Sequence, residues 1–238
     1  MPQTNALARG VLIASLIAGV SYVAAWGLHL APALELTWKG LGVGLLAVYA
    51  ALKARDLNGW LLTAVMVFGA LGDVLLGAAG LTVGAIAFLI GHLIAIGLYR
   101  RNRRAVLTPS QLALAVILVP ATVILAFLLP GDRAGAPGVA FYSLGLSLMA
   151  ATAWTSRFHR FRVGIGALMF VVSDLLIFAR TGPLADSFAT GLAVWGLYYF
   201  GQLLICVGVV QGLEKPSPLA GEGGLRSRSD EGSHGSVG

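Results

Sequence analysis

Asp73 and Asp174 are the residues whose type and setting could do chemistry. Asp73 sits in the run AVMVFGALGDVLLGAAG and Asp174 in IGALMFVVSDLLIFA, so each carboxyl is flanked along the chain by apolar side chains. A carboxylate inside a membrane helix costs about 2.5–3.5 kcal/mol, and such groups face the bundle interior or a cavity. Two of them suit acid–base work, one carboxyl holding a proton while the other is ionised, as in glycosidases and aspartic proteases. The plainer reading is that they join helices, by hydrogen bonds or by an ion pair with Lys39. Lys39 has a rival partner in Glu35, four residues earlier. Gly69, Ala70 and Gly77 lie within one turn of Asp73 and let another backbone come close, which ordinary helix packing also requires.

Other chemistries find less material. Of the four histidines, only His92 falls in an apolar run near the two acids; His29, His159 and His234 belong to loops or to the C-terminal segment. Two aspartates and one histidine make a thin ligand set for zinc, so no metal and no cofactor is expected. No Gly-x-Ser-x-Gly elbow occurs, and Ser173, adjacent to Asp174, points elsewhere on its helix. Cys206 is the sole cysteine, excludes an intrachain disulfide, and suits packing better than nucleophilic attack. Trp195, Tyr198 and Tyr199 fit an aromatic belt, a core cluster or contact with a lipid headgroup.

The elements that must position these groups follow from composition. Of 238 residues, 58% are apolar and 11% charged, which excludes an ordinary water-soluble enzyme. The net charge of +6 sits in short basic clusters between apolar runs, a membrane-protein pattern rather than a nucleic-acid-binding one. Continuous apolar runs predict an all-α, polytopic membrane protein with eight transmembrane helices near 8–28, 34–52, 58–78, 80–99, 111–129, 138–155, 163–180 and 190–211. With eight crossings, all of the 16 Lys and Arg residues except Lys39, Arg133 and Arg180 fall on one side. That asymmetry predicts a multi-pass protein of the plasma (inner) membrane with both termini cytoplasmic. The transmembrane domain is expected over 1–213. Residues 214–238, rich in Gly, Ser and Pro, are expected to form a disordered cytoplasmic tail.

The runs also resemble one another in pairs. Gly72-Asp73-Val74-Leu75-Leu76 is answered by Ser173-Asp174-Leu175-Leu176-Ile177, and Phe88-Leu89-Ile90-Gly91-His92 by Tyr198-Tyr199-Phe200-Gly201-Gln202. Trp38-Lys39-Gly40-Leu41-Gly42 is answered by Phe141-Tyr142-Ser143-Leu144-Gly145. The order is the same each time, which predicts two parallel four-helix repeats. At 1.5 Å per residue, Asp73 lies about 21 Å and Asp174 about 17 Å from the cytoplasmic start of its span. Lys39, Asp73 and His92 would then meet Tyr142, Asp174 and Gln202 in one polar layer.

These motifs, together with Ala87-Phe88-Leu89-Ile90-Gly91-His92, Phe170-Val171-Val172-Ser173-Asp174 and Tyr198-Tyr199-Phe200-Gly201-Gln202-Leu203-Leu204-Ile205, resemble the YhhN/lysoplasmalogenase membrane proteins over roughly residues 34–208. The family has a lysine near the start of the second span, usually followed by proline; Lys39 fits and Gly40 departs. The resemblance implies eight helices, hydrolysis of the vinyl ether bond of lysoplasmalogens to a fatty aldehyde and a glycerophospho-base, and Asp73 and Asp174 as catalytic aspartates. Lys39, His92, Tyr142, Tyr199 and Gln202 are then candidates to bind a lysophospholipid that enters from the bilayer between the halves. A rival class uses the same paired acids as a proton relay in a lipid or small-solute transporter.

Overall fold

Prolines and polar caps set where the helices begin. Pro32 and Pro109 open two of them, where the missing N–H costs nothing. Asp56 caps a third by accepting from Gly59 N at 2.9 Å, and Thr108 forms a reciprocal capping box with Gln111. Gly80, at φ +91°, turns the chain between the third helix and the fourth, a backbone setting that a side chain would strain.

The computed structural model describes residues 2–214. Within them lie α1 (Pro2–Ala25), α2 (Pro32–Lys53), α3 (Leu57–Ala78), α4 (Leu81–Arg101), α5 (Pro109–Leu128), α6 (Ala136–Thr155), α7 (Ile165–Arg180) and α8 (Phe188–Glu214). A π-helical turn, Arg160–Gly164, leads into α7. No strand occurs among the described residues; Arg103 and Ser156 form an isolated bridge.

Seven of these helices, counting the π turn with α7, are long and apolar enough to cross a membrane. The exception is α2, whose 22 residues include Glu35 and Lys39 in the first half. Large apolar side chains point outward, among them Val116, Ile117 and Leu128 of α5, each more than 60% exposed. Such a face is stable only in hydrocarbon. The chain is a multi-pass membrane protein.

Expected boundaries agree closely, with three differences. Helix α1 starts well before residue 8 and ends at Ala25, and Glu214, expected in the tail, is the last residue of α8. Pro120, a residue that removes a backbone donor within the expected fifth span, lies inside an unbroken α5 on an exposed face. The expected disorder of the remaining tail concerns residues outside those described.

Consecutive helices pack side by side from α1 to α4, α5 pairs with α6 and α7 with α8, and α4 against α6 joins the two groups. Helix α8 also lies against α1, α2 and α3. The two helices that carry the aspartates, α3 and α7, do not touch. The space between them holds the site.

Candidate functional site

Close helix crossings bring the walls of this space together. Gly166 of α7 and Gly201 of α8 meet so tightly that a Cβ on either would lie 2.6–2.7 Å from the other's carbonyl oxygen. Small residues are what let two backbones approach in this way. The crossing sets Asp174 beside the upper part of α8. Gly69 does a related job on α3: a Cβ there would stand 3.0 Å from Gln202 Nε2 and 3.6 Å from the Tyr198 hydroxyl. Gly69 therefore makes room for side chains of α8 and Gly77 for Leu36 of α2, where sequence suggested a backbone. Trp195 is anchored by its indole N–H to Gly19 O at 2.7 Å and packs on Tyr22, tying α1 to α8.

Between these walls is a cavity of about 440 Å³, within the size range of small-molecule sites. Lys39, Asp73, Asp174 and Tyr198 supply polar groups, and Phe88 and Trp195 give it apolar sides. Arg180 and Asp186, joined at 2.6 Å, stand where α7 ends and the approach to α8 begins. This is the end of the bundle opposite the basic clusters.

Each aspartate is held the same way. Tyr198 donates to Asp73 Oδ2 at 2.7 Å, and Tyr142 donates to Asp174 Oδ2 at 2.6 Å. Both aspartates are at most 5% exposed. Their Oδ1 atoms have no hydrogen-bond partner among the described residues. One oxygen of each acid is thus fixed by a phenol, the other has no protein partner among the described residues, and both acids line the cavity. A carboxyl in this state has an oriented lone pair or proton to offer a ligand.

The remaining expected residues divide. Lys39 lines the cavity with the aspartates and makes no ion pair with Glu35. Tyr142 and His92 lie behind Asp174 instead of in the cavity: His92 Nε2 is 3.1 Å from the Tyr142 hydroxyl. Because Tyr142 gives its one proton to Asp174, His92 donates to that hydroxyl from Nε2. Gln202 lies one turn from Tyr198 on the buried face, off the cavity, with Oε1 unpartnered.

Tyr199, expected at the substrate, faces away. Its hydroxyl meets Ser15 Oγ at 3.0 Å and its ring fills the gap that Gly19 and Gly42 leave. Successive helical residues point roughly 100° apart, so of the tyrosine pair only Tyr198 can reach the cavity. Sequence reasoning gave Tyr198 no such place, although its four-residue spacing from Gln202 put the two on one face. Ser173 does contribute to the cavity wall, with its hydroxyl committed to Val194 O at 2.9 Å. Cys206 is buried beside Leu46 O, a packing position.

A polytopic helical membrane protein with two interior carboxyls bordering one cavity is the class that fold and site define. The model of the YhhN family matches residues 34–209, and the chain belongs to that family. No curated protein and no solved structure matches it.

Proposed function

We propose that this protein hydrolyses the vinyl ether bond of lysoplasmalogens, or of a closely related lysolipid, with Asp73 and Asp174 as its acid and base. The observation that carries the reading is the pair of phenol-held carboxyls that line the same cavity. YhhN membership is consistent with it.

The chemistry follows from the bond. A neutral carboxyl gives its proton to the β-carbon of the vinyl ether, and the positive charge settles between the α-carbon and the ether oxygen. The ionised carboxyl faces that charge and takes a proton from water as the water oxygen bonds to the α-carbon. The hemiacetal so formed loses its hydroxyl proton, its C–O bond to glycerol breaks, and that oxygen is protonated. The products are a fatty aldehyde and a glycerophospho-base; one water is consumed and both carboxyls return to their starting states. No cofactor takes part. Apolar sides such as Phe88 and Trp195 suit the alkenyl chain, and Lys39 suits the phosphate. The lysolipid reaches the cavity from the bilayer, between the halves.

The same reading includes two parallel four-helix repeats. Lys39 and Tyr142 occupy matching motif positions, as do Phe88 and Tyr198. Lys39 and Tyr198 surround Asp73, whereas Tyr142 and Phe88 adjoin Asp174 in a small neighbouring pocket. Lys39 and Tyr142 support the repeat in this way, while Phe88 borders both acids. We also place both termini on the cytoplasmic side of the plasma membrane. In support, Lys53 joins Asn5 and Glu214 at the end of the bundle that carries Arg103, Arg104 and Arg157.

The test is a panel of vinyl ether, alkyl ether and acyl lysolipids given to the purified protein, with free aldehyde as readout. Aldehyde release from the vinyl ether alone supports the reading. Equal cleavage of the acyl lipid, or full turnover by Asp73→Asn or Asp174→Asn, overturns it.

A further inference from the structure

At the opposite end of the bundle, where α4, α6 and α8 finish, a second cavity of about 450 Å³ is lined by Arg104, Arg157, His159 and Arg162. No carboxylate borders it among the described residues, and none of the three arginines makes an ion pair there. Two of the guanidiniums are held in place by neutral groups. Arg104 Nε donates to Ser156 O at 2.7 Å and Nη2 to Phe158 O at 3.3 Å; Arg157 Nε donates to Asn102 Oδ1 at 2.8 Å. Those bonds orient the forks and leave the other N–H groups unclaimed. Three like charges around one cavity repel one another, and an anion bound there would offset that repulsion.

The position narrows the anion's kind. The floor is the buried ring of Phe158 together with Gly208 and Gly212 of α8, and Gln211 adds an amide at the edge. On the adjoining π turn, Phe161 is 61% exposed and packs under the Arg160 guanidinium at 5.0 Å. This turn thus sets an exposed apolar ring beside basic side chains at the end of the bundle that carries the basic clusters. A headgroup bound there has its charge among the arginines, with Phe161 exposed on the neighbouring turn just outside the cavity lining. We infer that this cavity binds the phosphodiester headgroup of an anionic glycerophospholipid of the surrounding membrane. Basic recesses between membrane helices bind such headgroups because planar guanidiniums match phosphate oxygens two at a time. This site is separate from the one that holds the aspartates, and the inference stands apart from the proposed reaction.

The experiment is thermal unfolding of the full chain in neutral detergent with phosphatidylglycerol, phosphatidylcholine or inorganic phosphate added. Phosphatidylglycerol is expected to raise the midpoint, with little effect from the other two. Arg162→Gln, at an exposed side chain without a partner, should weaken the apparent affinity roughly fivefold, and Arg157→Gln by a similar factor. Arg100→Gln, an exposed arginine at the same end outside the cavity, should leave affinity unchanged. Equal weakening in Arg100→Gln would mean diffuse attraction to charge and would overturn the site. Undiminished protection in both Arg157→Gln and Arg162→Gln would do the same. If inorganic phosphate protects as well as the lipid, the ligand is a soluble anion and the lipid assignment falls.

Discussion

The surroundings of Asp73 and Asp174 differ behind a shared first contact. Each acid accepts from a buried phenol at nearly the same distance. Behind Tyr198 stands a backbone carbonyl, Gly69 O at 3.3 Å; behind Tyr142 stands the imidazole of His92 at 3.1 Å. A phenol has one proton. When its aspartate is neutral and donates, the phenol must turn that proton elsewhere: Gly69 O accepts as it stands, and His92 accepts only once its proton has moved from Nε2 to Nδ1. A carbonyl can only receive the hydrogen bond, whereas an imidazole can also trade tautomers. The cation differs as well, since Lys39 lies on the helix next to Asp73 and its matching position near Asp174 is Tyr142. The lesson is that two carboxyls of similar burial on similar helices are not interchangeable, which a reaction needing one acid and one base requires.

The strongest way to break the comparison is to remove one carboxyl at a time. Asp73→Asn and Asp174→Asn should each lower aldehyde release by roughly 10³-fold, with the thermal midpoint near that of the parent. A variant that retained activity would show that one acid suffices.

Next come the phenols. Tyr198→Phe and Tyr142→Phe each delete a buried hydrogen bond to a carboxyl, worth about 1.5–3 kcal/mol, and should slow turnover by roughly ten- to a hundredfold. His92→Gln should cost several-fold alone and nothing further in a Tyr142→Phe background, because it acts through that hydroxyl. Additive losses in the double variant would separate His92 from Asp174.

Lys39→Met sharpens the electrostatic side of the contrast. Loss of the phosphate partner should raise KM about tenfold for the phospholipid substrate and leave an alkenylglycerol without phosphate unaffected. A fall in kcat on both substrates would instead tie Lys39 to the reaction at Asp73. The smallest effect is expected at Tyr199→Phe, which gives up the bond to Ser15 and about 1 kcal/mol of stability with turnover unchanged. That result against Tyr198→Phe would separate two neighbours on one helix.

Much of this was legible in the chain itself. Runs of apolar residues of the right length located all eight helices, because a helix must satisfy its own backbone and match the hydrocarbon thickness whatever its neighbours do. The two acids stood out for the same reason, as the costly residues in those runs. Less legible was which polar residues accompany them. His92, Tyr142, Gln202 and Tyr199 were expected to bind the substrate and lie outside the lining of the cavity that holds both acids, where Tyr198 stands. A single helix's sequence shows which residues share a face, but not which neighbour that face meets.

What the residues alone determined is a membrane bundle with two interior carboxyls at similar depth, since hydropathy, span length and helical rise depend only on local chain properties. Tertiary packing decided that α3 and α7 stand apart around a cavity, that phenols from α8 and α6 hold the two acids, and that imidazole backs only one of them. Those outcomes turn on crossings such as Gly166 with Gly201, where contact between distant segments sets the rotation of each helix. Rotation is a property of the pair, and no single helix carries it.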